Sequence, residues 1–152
     1  MTRLTRCAAV TVALLLACGL AAAQAPSAVG LWKTVDDKTG KEKSLVRIVD
    51  SSGVLSGKVE KFLDPETAKD AVCKDCEDDR KDKPILGMTI IRNMMASADD
   101  KAVFEGGDIL DPNNGKVYKA KLKLVENGTK LDVRGYIGVP MLGRTQTWSR
   151  VE

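Results

Sequence analysis

A chain of 152 residues with 43% hydrophobic and 30% charged side chains has the balance of one folded domain, which excludes a disordered chain and a multispanning membrane protein. Its 24 Lys+Arg against 21 Asp+Glu leave a formal charge of +3, too weak a field to indicate nucleic acid or an acidic membrane as a partner. Histidine is absent, which removes the usual general base near neutral pH, the Ser-His and Cys-His nucleophile pairs, and the commonest zinc and copper ligand.

Residues 1–23 read as a secretory signal peptide: basic Arg3 and Arg6, an apolar run from Cys7 to Ala17, and the small-residue site Ala21-Ala22-Ala23 before Gln24. The apolar run is too short, and its polar flanks too near, for a transmembrane span. Leu15-Leu16-Ala17-Cys18-Gly19 also resembles a bacterial lipoprotein box, which would make Cys18 a lipid-anchor site; soluble export is the preferred reading. Cleavage after Ala23 would remove two of the four cysteines and leave Cys73 and Cys76. Residues 24–28 form a short lead-in, and 29–152 form a single β domain.

From Gly30 onward, short β-type runs alternate with turn residues. Leu31–Val35 precedes the turn cluster Asp36-Asp37-Lys38-Thr39-Gly40, Ser44–Asp50 precedes Ser51-Ser52-Gly53, and Val54–Phe62 is the third run. Gly87–Arg92, Ala102–Leu110, Lys116–Val125, Leu131–Ile137 and Thr145–Val151 follow. Over Ile85–Met95, which contains the fourth of these eight runs, Met88, Ile91 and Met95 have spacing that also suits a short helix. Asn127-Gly128 predicts a two-residue type I′ hairpin joining Lys116–Val125 to its successor. Tyr118, Ala120, Leu122 and Leu124 fall on one face and Lys119, Lys121 and Lys123 on the other, a half-buried strand. In the next strand Leu131, Val133 and Ile137 are expected to share the buried face. The pattern is all-β: an antiparallel meander of about eight strands closed into a barrel, with an open sandwich as the alternative.

The long connection Leu63–Pro84 carries Cys73-Lys74-Asp75-Cys76. In an exported chain the default for this pair is a structural disulfide. The acidic neighbours Asp75, Glu77, Asp78 and Asp79 disfavour a reactive thiolate, and no second cysteine pair or histidine completes a zinc site. The acidic run Asp75–Asp82 lacks the alternation of a calcium loop and reads as solvated. No metal and no cofactor is expected.

Two further groupings bear on function. Glu105, Asp108 and Asp111 could form an acid/base site, but Asp111 opens the turn Asp111-Pro112-Asn113-Asn114-Gly115, where an aspartate caps the backbone. No elbow, phosphate-loop or dinucleotide motif is present, so an enzyme is the minority reading. In the last strand Arg144, Gln146, Trp148 and Arg150 share one face by period two. That row either plugs one barrel end, with Arg150 or Arg144 stacked on Trp148 or Trp32, or anchors the polar group of a ligand.

Gly30-Leu31-Trp32-Lys33-Thr34, Asp37-Lys38-Thr39-Gly40, Cys73-x-x-Cys76, Asp111-Pro-x-x-Gly115-Lys-x-Tyr118, Val133-Arg134-Gly135-Tyr136 and Gly143-Arg144-Thr145-Gln146-Thr147-Trp148-x-Arg150 resemble the domain-of-unknown-function family 2147 across about residues 29–151. That family consists of small exported bacterial proteins similar to lipocalins and other calycins. The resemblance implies an antiparallel barrel with Trp32 at its closed floor and Arg150 over it. The chain lacks the Thr-Asp-Tyr motif of lipocalins proper. The expected function is binding of a small hydrophobic or amphipathic ligand inside the barrel. Trp32, Tyr136 and Trp148 would form apolar wall, Arg134 or Arg144 a polar anchor, and Gln146 a further contact. The alternative is a packed barrel that contacts an envelope protein through its surface.

Overall fold

The computed structural model describes residues 27–36 and 38–152. The expected signal peptide, Cys18 and residues 24–26 of the lead-in lie outside the described residues, as does Asp37.

Among the described residues, nine antiparallel strands follow in chain order: β1 (Gly30–Val35), β2 (Glu42–Ser51), β3 (Val54–Phe62), β4 (Thr89–Ala96), β5 (Val103–Glu105), β6 (Asp108–Asp111), β7 (Lys116–Val125), β8 (Lys130–Tyr136) and β9 (Arg144–Arg150). Each pairs with its neighbour in sequence or nearly so, β3 joins β4, and β9 returns to β1, so the sheet closes into a barrel and not a sandwich. Closure leaves no long unpaired edge. β5 and β6 together form one stave, since both pair with β4 and with β7. The barrel is therefore eight staves with one extra strand.

The run expected over Ala102–Leu110 is split at Gly106 and Gly107. A side chain at Gly107 would collide with the Arg92 carbonyl, with Asn93 and, at 2.6 Å, with the Met94 sulfur. The stave therefore crosses β4 where only a glycine fits. Asn93, opposite this break, adopts positive φ, an irregularity that bends the strand locally. Ile85–Met95 does not form a helix: residues 89–96 are strand, and Met95 points to solvent at 53% exposure. The β7–β8 pairing is as expected, but its turn is longer than two residues. Glu126, Asn127 and Gly128 all take positive φ, and Val125 pairs with Lys130 across a four-residue connection.

Inward-facing large side chains fill one end. Trp32, Ile48, Ile91, Leu122, Leu131 and Trp148 are almost wholly buried in one apolar cluster. β7 alternates as its sequence requires, with Ala120, Leu122 and Leu124 inside. Leu131 and Val133 also face in, but Ile137 lies beyond the end of β8 and is 70% exposed.

The seam between first and last strands is short: Trp32 pairs with Arg150 and Lys33 with Ser149. The Arg150 guanidinium lies 4.2 Å from the Trp32 ring centroid, the stacking arrangement of a cation over an aromatic face. Its N–H groups donate to the carbonyls of Gly128, Val29, Ser27 and Glu152. The Trp32 indole N–H donates to the Ala28 carbonyl at 2.8 Å. Gly30 is required here: its φ is +144°, and a Cβ would lie 2.6 Å from the guanidinium of Arg150. Arg150→Ala should lower the unfolding free energy by about 2–4 kcal/mol, because carbonyls at the barrel end lose their donors and the indole loses its cover. Arg150→Lys should recover only part, since an ammonium cannot reproduce the planar fork. Urea denaturation of the two variants measures this.

Candidate functional site

The opposite end of the barrel is open and holds a cavity of about 600 Å³, within the range of small-molecule sites. Its apolar walls include Val59, Phe62, Ile90, Leu110, Val133 and Trp148. Its polar groups come from the same staves, one alternation nearer the mouth. Thr34 and Ser44 share a hydrogen bond of 2.9 Å, and the Trp148 indole N–H donates to the Gln146 amide oxygen at 3.1 Å. The Tyr118 hydroxyl accepts from the Asn114 amide at 3.3 Å.

Three connections form the rim. The β1–β2 turn contributes Asp36 and Lys38. Asp36 accepts from the Thr39 backbone N–H and hydroxyl, which hold its carboxyl below the ordinary value and fix the turn. The β6–β7 turn contributes Asp111 to Asn114, with Asp111 bound to both asparagine side chains. The long connection from Leu63 to Met88 contributes Thr67 and Ile85. Lys43, also lining the cavity, lies 3.2 Å from Asp64 at the start of that connection.

The long connection is held by covalent and charged links. Cys73 and Cys76 are joined in a disulfide and are fully buried. This segment seats on the β6–β7 turn: the Cys73 sulfur lies 3.6 Å from the Pro112 carbonyl, and any side chain at Gly115 would strike the backbone of Asp75. Arg80, 4% exposed, binds Asp78 and donates to the Thr89 carbonyl, tying the segment to β4. Arg92 binds Asp79 through two N–H groups at 2.8 Å. Two carboxylates of the acidic run, Asp78 and Asp79, are thus paired with arginines, and among the described residues no cluster of acids and cysteines is arranged to hold a metal.

Of the residues singled out from sequence, Arg144, Gln146 and Trp148 line the cavity. Trp32 does not: it is buried at the floor beneath Arg150. Arg134 and Tyr136 are not in the lining either. They have the opposite alternation to Leu131 and Val133, so they lie on the outer face, where Arg134 binds the Pro140 and Met141 carbonyls. The carboxylates Glu105, Asp108 and Asp111 do not share the cavity, which takes in only Asp111. Glu105 is paired with Lys121 at 3.2 Å. Sequence reasoning missed Thr34, Ser44, Tyr118 and Gly135 as lining residues. Counting by twos from Trp32 reaches Thr34, and from Leu131 and Val133 reaches Gly135, so the signal was present in the alternation.

Closed staves with one packed end and one open chamber define a lipocalin-like barrel. Among solved structures the chain is similar to protein HP1028 from the human pathogen Helicobacter pylori, described as belonging to the lipocalin family. The match has a TM-score of 0.68 and 20% identity, and covers 85% of this chain and 84% of that one. At that identity the likeness concerns the fold. The family model for uncharacterized proteins conserved in bacteria, DUF2147, matches residues 30–150, and the chain belongs to that family. No curated protein is significantly similar to it.

The ion pair at Asp78 makes the rim acid-sensitive. The Arg80 guanidinium holds its carboxyl down at about 2, below its ordinary 3.8. A carboxyl depressed in the folded state contributes stability that is fully present above the unfolded value and is lost as pH falls through the folded one. The stability difference between wild type and Asp78→Asn should therefore be constant above about pH 4 and shrink as pH falls toward about 2. Denaturation midpoints of both proteins across that range check it.

Proposed function

We propose that the protein is exported and binds a small amphipathic molecule in the open half of its barrel. The cavity carries this reading: about 600 Å³ of space, with aliphatic and indole walls below and hydroxyl, amide, carboxylate and cationic groups at the rim. An apolar tail fits against Val59, Ile90, Leu110 and Trp148, and a polar or anionic end fits near Lys38, Lys43 and Arg144. Arg144 replaces Arg134 as the anchor. The basic, apolar and small-residue pattern of residues 1–23 supports export, as does the use of the two remaining cysteines as a disulfide. The open chamber weighs against a barrel that works as a packed module alone. The function requires no catalytic group.

Native mass spectrometry of the protein recovered from the exported fraction tests the reading. The expected result is an adduct that survives gentle ionisation and disappears on denaturation, on a chain beginning at Gln24. Gly135→Leu, which adds a side chain at a lining glycine whose Cβ position has only ordinary contacts, should reduce adduct occupancy without unfolding the barrel. A bare chain from wild type, or an adduct unchanged by Gly135→Leu, would overturn it. A chain beginning at an acylated Cys18 would replace soluble export with a lipid anchor.

A further inference from the structure

Between the apolar wall of the chamber and its charged rim lie four uncharged polar side chains, Thr34, Ser44, Tyr118 and Gln146. They come from β1, β2, β7 and β9 and form a belt around the opening. Gly135, on the strand between Tyr118 and Gln146, places no side chain between them.

The hydrogen bonds already made fix what this belt can offer. The Trp148 indole N–H can only donate, so the Gln146 atom that it meets at 3.1 Å is the amide oxygen. The Gln146 NH2 is thereby turned away, and among the described residues it has no acceptor. Tyr118 is oriented by the same logic. The Lys116 backbone N–H donates to the Asn114 amide oxygen at 2.9 Å, which leaves the Asn114 NH2 to face Asp111 and the Tyr118 oxygen. That oxygen accepts, and the hydroxyl hydrogen has no acceptor among the described residues. Thr34 Oγ1 accepts from the Ser44 backbone N–H at 3.1 Å and lies 2.9 Å from Ser44 Oγ. Whichever hydroxyl donates to the other, one hydrogen is left over.

The belt therefore presents unused donors on three sides. The rim beyond it is mixed in sign, with Lys38, Lys43 and Arg144 beside Asp36 and Asp111, so charge alone selects no ligand there. Selection falls to the belt. A site built to hydrogen-bond one group rejects an analogue that leaves its donors unpaired.

We propose that the chamber selects molecules that carry a carbonyl oxygen at the end of an apolar chain, as acyl acids and acyl esters do, over alcohols and amines of the same chain. The inference rests on the reading that the chamber binds an amphipathic ligand, and it adds the chemistry of the polar end. A carbonyl or carboxylate oxygen accepts from more than one donor and brings no hydrogen of its own. A hydroxyl brings a hydrogen that the belt does not need, and an ammonium only donates.

Isothermal titration calorimetry with dodecanoate, methyl dodecanoate, dodecanol and dodecylamine near neutral pH tests this, each probe kept below its aggregation threshold. Wild type should bind the acid and the ester about tenfold or more tighter than the alcohol and the amine. Equal affinity for acid and ester would place the contact on the carbonyl oxygen alone, and a tighter acid would add the rim cations; either supports the proposal. Tyr118→Phe should weaken the acid and the ester by about threefold to tenfold and leave the alcohol unchanged. Gln146→Glu keeps an oxygen for the Trp148 indole and exchanges the donors for a carboxylate, so it should invert the order in favour of dodecylamine. Circular dichroism checks that both variants remain folded. Alcohol or amine bound by wild type as tightly as acid and ester, or a preference unmoved by both substitutions, would overturn the proposal and leave the chamber a ligand site. Binding of none of the four would also overturn it, and the adduct in the native mass spectrum then decides whether the chamber reading falls as well.

Discussion

The barrel depends on how its first and last strands meet. Two register pairs join the first strand to the last, and backbone hydrogen bonds of Leu31 with Val151 and Glu152 continue the seam. One of those pairs is Trp32 with Arg150, and its side chains add a stacked, hydrogen-bonded rung to the ladder. The guanidinium covers the indole and takes up carbonyls from the lead-in, the β7–β8 turn and the C-terminus. Burial pulls the pKa of Arg150 down from its ordinary value, a cost offset by this set of charge-assisted hydrogen bonds. Gly30 makes the arrangement sterically feasible, which gives the Gly30-Leu31-Trp32 pattern a physical reason independent of any likeness to other proteins.

With the floor sealed by that rung, the rest of each stave is free to differ. Along β9, β8 and β1 the inward residues change from large and apolar to small or polar within two alternations. Trp148 gives way to Gln146, Val133 to Gly135, and Trp32 to Thr34. The chamber is the direct result, since an eight-stave barrel encloses just enough room to be filled by full-size side chains or to hold one small molecule. The long connection then sets the rim. Its disulfide, the Arg80–Asp78 pair and the close seat of Gly115 against Asp75 hold a segment with little regular structure in place above the opening.

Much of this was legible in the sequence because period two is a strong signal where one face is buried. Lys116–Val125 has the same limits in sequence and structure, and the alternation of its lysines is reproduced. The Trp32–Arg150 contact and the disulfide were expected and are present. What failed had specific causes. The break at Gly106 and Gly107 depends on contact with β4, a tertiary event invisible to local pattern. Three consecutive positive φ values lengthened a turn that Asn127-Gly128 alone would have made tight. The ligand contacts were drawn from residue type, so Arg134 and Tyr136 were included although alternation puts them outside, and Gly135 and Thr34 were passed over because neither carries an obvious binding group. Ile137 was assigned to a strand that ends one residue earlier.

The two tryptophans provide the most direct test of the division into sealed floor and open chamber. Trp148 lines the cavity, while Trp32 is buried beneath Arg150. The measurement is fluorescence of Trp32→Phe and Trp148→Phe, each retaining one indole, titrated with a brominated fatty acid that quenches by contact. Saturable quenching in the variant that keeps Trp148, with none in the variant that keeps Trp32, is the expected result. Equal quenching of both, or no saturable quenching of Trp148, would contradict a ligand chamber above a closed floor.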